Sequence, residues 1–342
     1  MEMEGSRSMG LNSHPEYAIE ADGLVKKFGD QRVVDGIALR VPRGSIYGFL
    51  GPNGAGKTTT IRMLATLLQP DEGSAKVMGY DLAKETDQVR QRISLTGQFA
   101  SVDEDLSGRE NLILIARLVG FSRADAKARA DELLKAFHLE EAAQRQVKKY
   151  SGGMRRRIDI AASIVAAPDL LFLDEPTTGL DPRSRNQVWD IIRALVRNGT
   201  TVFLTTQYLE EADQLADRIA VIDHGRLIAE GTSSELKALV GAGRLTVHFQ
   251  AAEDLERAAV ILGSLTQETF EKDERALKLI VPIADHSAAA ATISRFVTED
   301  LRIADFSMGQ PSLDEVFLTL TGKKPDSPES EGEESEDVHQ AG

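Results

Sequence analysis

Gly51-Pro-Asn-Gly-Ala-Gly-Lys-Thr58 is the most informative segment of this 342-residue chain. It follows the apolar run Ser45-Ile-Tyr-Gly-Phe-Leu50 and passes directly into Thr59-Thr-Ile-Arg-Met-Leu-Ala-Thr-Leu-Leu68, which has helical character. A buried strand, a glycine turn and a helix in that order form the entrance to a phosphate-binding α/β core. The residue types explain the chemistry. The backbone N–H groups of Gly51, Pro52, Asn53, Gly54, Ala55 and Gly56 (the proline apart) can surround phosphate oxygens, Lys57 can reach the β and γ phosphates, and the hydroxyl of Thr58, with Thr59 beside it, opens the helix where Mg²⁺ would sit.

The segment before the loop reads as short strands from Glu16 onward. After Gly97 the pattern turns helical, announced by Ser107 with Glu110 and Ser122 with Asp125 at capping-box spacing. A helical lobe over roughly 98–165 is therefore inserted into the core, with the turn at Ser151 opening a helix that runs to Ala167. The core resumes with Leu170-Leu-Phe-Leu-Asp-Glu175, a helix around Asn186 to Arg197, and two further strand-like runs, which together indicate a largely parallel sheet covered on both faces. Gly241 and Gly243 read as a linker; beyond them strands and helices alternate in a βαβαβα order.

Leu170 to Glu175 is an apolar strand ending in two carboxylates. Burial of the strand places Asp174 at the carboxyl edge of the sheet, where it can hold Mg²⁺ while Glu175 orients and deprotonates water. Twenty-three residues before Asp174 stands Tyr150-Ser151-Gly152-Gly153-Met154. In isolation Ser-Gly-Gly is a helix N-cap; in this place its free N–H groups and dipole end can point at a γ-phosphate. Here the sequence resembles the signature of ATP-binding cassette (ABC) proteins, usually written LSGGQ, over Ala18 to about Gly231. The resemblance implies a nucleotide sandwiched between two copies, the glycine loop of one facing Ser151, Gly152 and Gly153 of the other. It also implies that Phe28 stacks on adenine, that Gln98 touches Mg²⁺ at the hinge of the helical lobe, and that Gly179-Leu-Asp181 carries communication between protomers. At the position where most members have a histidine on the γ-phosphate this chain has Gln207, which donates a hydrogen bond but carries neither a proton nor a charge near neutral pH.

Thr205-Thr-Gln-Tyr-Leu-Glu-Glu-Ala-Asp213, Tyr150-Ser-Gly-Gly-Met-Arg-Arg-Arg-Ile158 and the C-terminal Pro311-Ser-Leu-Asp-Glu-Val-Phe-Leu318 together look like the DrrA-type group of daunorubicin and doxorubicin resistance ATPases, a likeness extending over about residues 16–322. That group implies export of antibiotics, lipids or other amphiphiles through a separate transmembrane permease. Within the C-terminal motif, Leu313, Val316, Phe317 and Leu320 are spaced as a helix stripe that packs on its own domain or, alternatively, docks a partner.

Composition narrows the class further. The net charge of −14 disfavours a nucleic-acid binder, although residues 323–342 alone hold seven acidic and two basic groups. The cluster Arg155 to Arg157 is accordingly read as a helix face paired with carboxylates or a rim around ATP. The absence of cysteine excludes disulfides and thiolate chemistry. No apolar run approaches the roughly 20 residues that cross a bilayer, so a partner is expected to bring the chain to the membrane.

The reading is an α/β fold: a disordered 1–15, a P-loop ABC ATPase core over 16–235, a small accessory α/β domain over 244–322 and an acidic disordered tail over 323–342. The expected function is that of an ATP-hydrolysing, Mg²⁺-dependent homodimer at the cytoplasmic face of the membrane, bound to a permease. The alternative is a soluble ABC ATPase of translation, repair or assembly. Such proteins often carry fused cassettes, coiled coils or zinc-binding cysteines, whereas this chain has one glycine loop, no sustained heptads and no cysteine.

Overall fold

The computed structural model describes residues 16–97, 102–239, 243–265, 270–283, 286–309 and 311–322. Gln98 and the two terminal segments given above as disordered lie outside them. Contacts divide the chain into two units between Ala229 and Glu230.

The N-terminal unit opens with β1 (Tyr17–Phe28) and β2 (Gln31–Pro42), a long antiparallel hairpin, followed by β3 (Ile46–Leu50) and α1 (Lys57–Leu64). Then come β4 (Glu72–Val77), β5 (Tyr80–Asp81), α2 (Thr86–Arg90) and β6 (Ile93–Thr96). The helical segment holds α3 (Gly108–Leu118), α4 (Arg123–Ala136) and α5 (Gly152–Ser163). The core returns with β7 (Leu170–Asp174), α6 (Pro182–Arg197), β8 (Thr201–Thr206), α7 (Leu209–Leu215), β9 (Arg218–Asp223) and β10 (Arg226–Gly231). Two sheets result: one ordered β2-β1-β4-β5, the other β10-β9-β3-β8-β7-β6. In the second, β3 pairs parallel to β8 and β9, and β7 parallel to β8 and β6.

Strands β3, β7 and β8 are buried at every position, as near-continuous apolar runs must be when both faces of a parallel sheet are covered. Alternation sends Leu171, Leu173, Val202 and Leu204 into the core shared with α3 to α6. It sends Leu170, Phe172 and Phe203 into the core shared with α1 and the antiparallel sheet. Phe203 is the hub of the latter, with the rings of Tyr47, Phe49 and Phe172 at 5.6, 5.4 and 5.7 Å.

Ser107 forms a reciprocal capping box with Glu110, and Ser122 caps α4 by accepting from Asp125 N. One helix bound differs from the sequence reading. Helix α5 stops at Ser163 rather than Ala167. Arg129 donates to the carbonyls of Ile164 and Val165, and Pro168 disfavours helical backbone at the residue before it; Ala167 has φ +49°. Helix α6 starts at Pro182, as a proline suited to a first helical turn leads one to expect, with Asp181 as its cap.

In the C-terminal unit, α8 (Ser233–Ala238) precedes β11 (Arg244–Phe249), α9 (Ala252–Leu265), β12 (Glu271–Asp273), β13 (Lys278–Pro282), α10 (His286–Thr298), β14 (Ile303–Gly309) and α11 (Leu313–Thr321). The order is βαββαβα, not βαβαβα: the three-residue β12 is too short and polar to announce itself. The sheet is antiparallel, ordered β12-β13-β11-β14, the split βαβ arrangement of ferredoxin-like domains. Leu255, Ala258 and Leu262 of α9 and Ala289 and Phe296 of α10 cover Leu245, Val247 and Phe249. Helix α11 packs against α8. Leu313, Val316 and Phe317 are buried, while Leu320 is partly exposed, so three of the four stripe residues serve the unit's own packing.

Candidate functional site

The glycine loop leaves β3 at Gly51 and enters α1 through Gly56, which has φ +103°. Bare backbone is required here. A Cβ at Gly51 would lie 2.4 Å from the carbonyl oxygen of Ile222, and one at Gly56 would lie 2.6 Å from that of Val33. The turn between β9 and β10 braces the loop, with Gly225 N donating to Ala55 O at 3.0 Å and Asp35 N donating to Gly225 O at 2.9 Å. Asn53 and Gly54 are exposed, Pro52, Thr58 and Thr59 half-buried, and Ala55 buried. The buried Lys57 Nζ donates to Gly51 O (2.8 Å) and Pro52 O (3.1 Å) and pairs with Glu175 Oε1 at 3.2 Å.

Asp174 ends β7 with only 3% exposure. Its Oδ1 accepts from the Thr205 hydroxyl at 2.6 Å, and that hydroxyl also accepts from Glu175 N at 3.2 Å. Glu175 N donates to Thr205 O as well, at 3.1 Å. Glu175 has φ +48°, a left-handed conformation that costs a side-chain-bearing residue roughly 1–2 kcal/mol. Lys57, Asp174 and Glu175 therefore converge at the carboxyl edge of the parallel sheet, where Gln207 closes β8 in a buried position. A loop of bare amides, one buried ammonium and a carboxylate pair match a triphosphate with its divalent cation.

A second cluster forms on α5 and α6. Ser151 caps α5 by accepting from Met154 N, and Ser151 and Gly152 are exposed. Gly153 abuts α6 so closely that a Cβ would stand 2.3 Å from Ser184 Oγ, while Leu180 Cδ2 lies 3.7 Å from the corresponding position at Gly152. Asp181 caps α6: its Oδ1 accepts from Ser184 N at 3.0 Å and its Oδ2 from Ser184 Oγ at 2.6 Å, which hold its carboxyl below the usual range. The signature turn and Gly179-Leu-Asp181 thus form one packed unit. Tyr150 anchors it from below through a hydroxyl donated to Ala142 O at 2.8 Å, and burial raises the phenol's pKa.

Phe28 ends β1 opposite Gln31 with 52% exposure. It is no core residue. Lys26 Nζ lies 5.9 Å from its ring centroid, and the strand that pairs with it carries Val33, whose carbonyl lies against the glycine loop.

Three participants are not legible as site residues in the sequence. Thr205 is a polar residue in a buried strand, a signal that becomes informative only with the parallel register that sets it opposite Asp174. Glu211 is buried on α7, its Oε1 accepting from Thr177 Oγ1 at 2.8 Å and Trp189 Nε1 at 3.1 Å; burial raises its pKa. Among the described residues Arg156 has no ion pair. It donates to three main-chain carbonyls, while Arg155 pairs with Glu104 at 2.8 Å and Arg157 donates to Phe137 O.

Comparison with known proteins bears on this arrangement. Residues 34–178 match the family model "ABC transporter", and residues 231–321 match "ATP-binding protein DrrA1-3-like, C-terminal domain". The chain is similar to the daunorubicin/doxorubicin resistance ATP-binding protein DrrA of Streptomyces peucetius, 58% identical over 92% of this chain and 96% of that one. It is similar also to the doxorubicin resistance ATP-binding protein DrrA of Mycobacterium tuberculosis, at 45% over 90% and 94%. A solved structure of an ATP-binding subunit of an ABC transporter superposes with a TM-score of 0.59 at 28% identity, covering 65% of this chain and 92% of that one. A glycine loop, a carboxylate-ended strand and a signature helix, joined to a C-terminal domain of this type, place the chain in the DrrA-type family of ABC transporter ATP-binding proteins, as an ATP-hydrolysing member.

Proposed function

We propose that the chain works as a homodimer on the cytoplasmic face of the membrane, driving a separate permease that exports drugs or related amphiphiles. The observation that carries the catalytic part is the buried Lys57–Glu175 pair at 3.2 Å beside Asp174. It puts the cation that attracts a γ-phosphate and the carboxylate that can take a proton from water at one locus. In this reading Glu175 is the general base, Gln207 donates a hydrogen bond to a γ-phosphate oxygen, and Phe28 stacks on adenine. Asp174 and Thr58, together with Gln98, would hold Mg²⁺, which would supply positive charge to offset that of the phosphates.

The two-cluster layout supports the dimer. Ser151 and Gly152 present exposed amides at the start of α5, and Asp181 lies in the same packed unit. Supplying that helix end to the nucleotide of a second copy would complete the site from its open side. Closure around nucleotide then drives the permease, and hydrolysis resets it. The names of the relatives, daunorubicin and doxorubicin resistance proteins, support the cargo class.

Glu175→Gln tests the assignment. It is expected to retain nucleotide binding and to slow hydrolysis by about 10²-fold or more, the usual worth of a positioned base. Near-normal turnover would remove Glu175 from the role. Purification from detergent-solubilised membranes should bring down a polytopic partner in fixed stoichiometry; recovery of the ATPase without one would argue for the soluble alternative.

A further inference from the structure

Arg156 lies five residues into the chain from Ser151, on the helix that opens at the signature turn. Its guanidinium faces inward. Nε donates to Pro176 O at 2.8 Å, Nη1 to Gly97 O at 2.9 Å and Nη2 to Asp174 O at 3.1 Å. Two of these acceptors flank Glu175, and the third is the last residue before Gln98. One side chain of the helical segment therefore holds the backbone on both sides of the base and the exit of β6. The planar fork suits this task, because five N–H donors in fixed directions can serve three carbonyls at once.

The surroundings indicate that the contact is built in. Desolvation pushes the Arg156 pKa down, and the acids that favour its charged form are Asp159, one turn further along α5, then Glu211 and Asp174. Glu211 in turn takes the hydroxyl of Thr177. Residues 174–177 are thus gripped by Arg156 through carbonyls and by Glu211 through Thr177, and between these grips Glu175 keeps its positive φ. A left-handed glutamate persists only where neighbours over-determine it. Thr205, on the far side, supplies the remaining hold on Glu175 N.

We propose that Arg156 is a positioning residue for the catalytic base, making the placement of the Glu175 carboxylate depend on where the signature helix stands. Hydrolysis is then coupled to the position of the helical segment within one chain: a swing of α5 that draws Arg156 away from Asp174 O and Pro176 O releases the backbone around Glu175. This rests on Glu175 being the base, and the test separates the two.

The experiment compares Arg156→Lys, in the full chain, with and without Glu175→Gln. Lysine keeps the cation that Asp159 and Glu211 face but, as a point donor, cannot span three carbonyls. The expected result is a kcat about tenfold lower, with KM and the affinity for a fluorescent ATP analogue within about twofold of the parent, since only an interaction needed for the chemical step is lost. In the Glu175→Gln background, single-turnover hydrolysis of radiolabelled ATP should show no further loss, because the group being positioned is already gone. Unchanged kcat in Arg156→Lys, an equal fold loss in both backgrounds, or a parallel loss of nucleotide affinity would each overturn the proposal. Should Arg156→Lys fail to fold, Pro176→Ala and Thr177→Val, which loosen the same segment from its other end, must show the same background dependence, and additivity there overturns it. Failure of Glu175 as the base is read separately, from Glu175→Gln alone retaining turnover.

Discussion

Replacing Thr205 by valine removes one hydroxyl and almost nothing else. The side chain is fully buried, and valine has nearly the same volume, so no cavity term enters. What disappears is the 2.6 Å bond to Asp174 Oδ1, a long 3.5 Å contact with Leu173 O and the 3.2 Å acceptor for Glu175 N. Glu175 N keeps the Thr205 carbonyl at 3.1 Å, so its loss is small. Asp174 loses a hydrogen bond to a charged, buried oxygen, which is worth about 1.5–3 kcal/mol. For a unit of this size 1 kcal/mol corresponds to roughly 2–4 °C, so the unfolding transition should fall by roughly 3–12 °C. Calorimetry reads that shift. A titration of ATPase activity with Mg²⁺ reads the functional half: without the hydroxyl, Asp174 is free to rotate, and half-maximal activity should require several-fold more Mg²⁺. Thr205→Ser keeps the hydroxyl and should keep the parent's Mg²⁺ requirement, its transition falling only by the roughly 2–4 °C that a buried methyl is worth. A valine variant with the parent's transition temperature and Mg²⁺ requirement would refute the claim that this hydroxyl sets the carboxylate.

Phe28→Ala should leave the transition temperature close to that of the parent, since the ring is half-exposed, while weakening nucleotide binding by roughly tenfold, within the range measured for aromatic stacking on a base; fluorescence titration checks both the sign and the size. Phe203→Ala empties the centre of a four-ring cluster and should cost about 3–5 kcal/mol, read from chemical denaturation of the N-terminal unit. Glu211→Gln addresses pH. The native carboxyl has a pKa raised above its ordinary 4.5 by burial, so the folded chain holds that proton more tightly than the unfolded one, and stability contributed by the neutral form is lost as pH rises from about 4.5 through the raised value. The amide, which does not titrate, should show a melting temperature that gains on the parent's as pH rises through that window; a constant difference between the two would contradict it.

What the sequence disclosed and what it withheld have a common physical cause. The strand before Gly51, the turn and the helix after Lys57 are contiguous, and their residue types are dictated locally: apolar where both faces are covered, glycine where a Cβ would strike Ile222 or Val33. The carboxylates closing β7 and the Ser151 cap were legible for the same reason. Thr205, Glu211 and Arg156 were not, because each acts across the fold. Arg156 reaches Gly97, 59 residues away, and its neighbours Arg155 and Arg157 have ordinary roles, so a run of three arginines conceals one that differs. The left-handed backbone of Glu175 has no sequence mark either, since glutamate is not a residue chosen for that conformation. In the C-terminal unit the missed β12 is three residues with no apolar alternation, while the helix end at Ser163 was set by an arginine from another helix.

In the proposed dimer two chains share each nucleotide, the glycine loop of one facing the signature turn of the other. The most direct measurement is the solution mass of the Glu175→Gln chain by light scattering, with ATP and Mg²⁺ and then without nucleotide. The expected mass with nucleotide is twice the 37.3 kDa of a single chain, reverting to that of one chain when Ser151→Phe is added. A mass of one chain in saturating ATP and Mg²⁺, or a dimer indifferent to nucleotide and to Ser151, would contradict it.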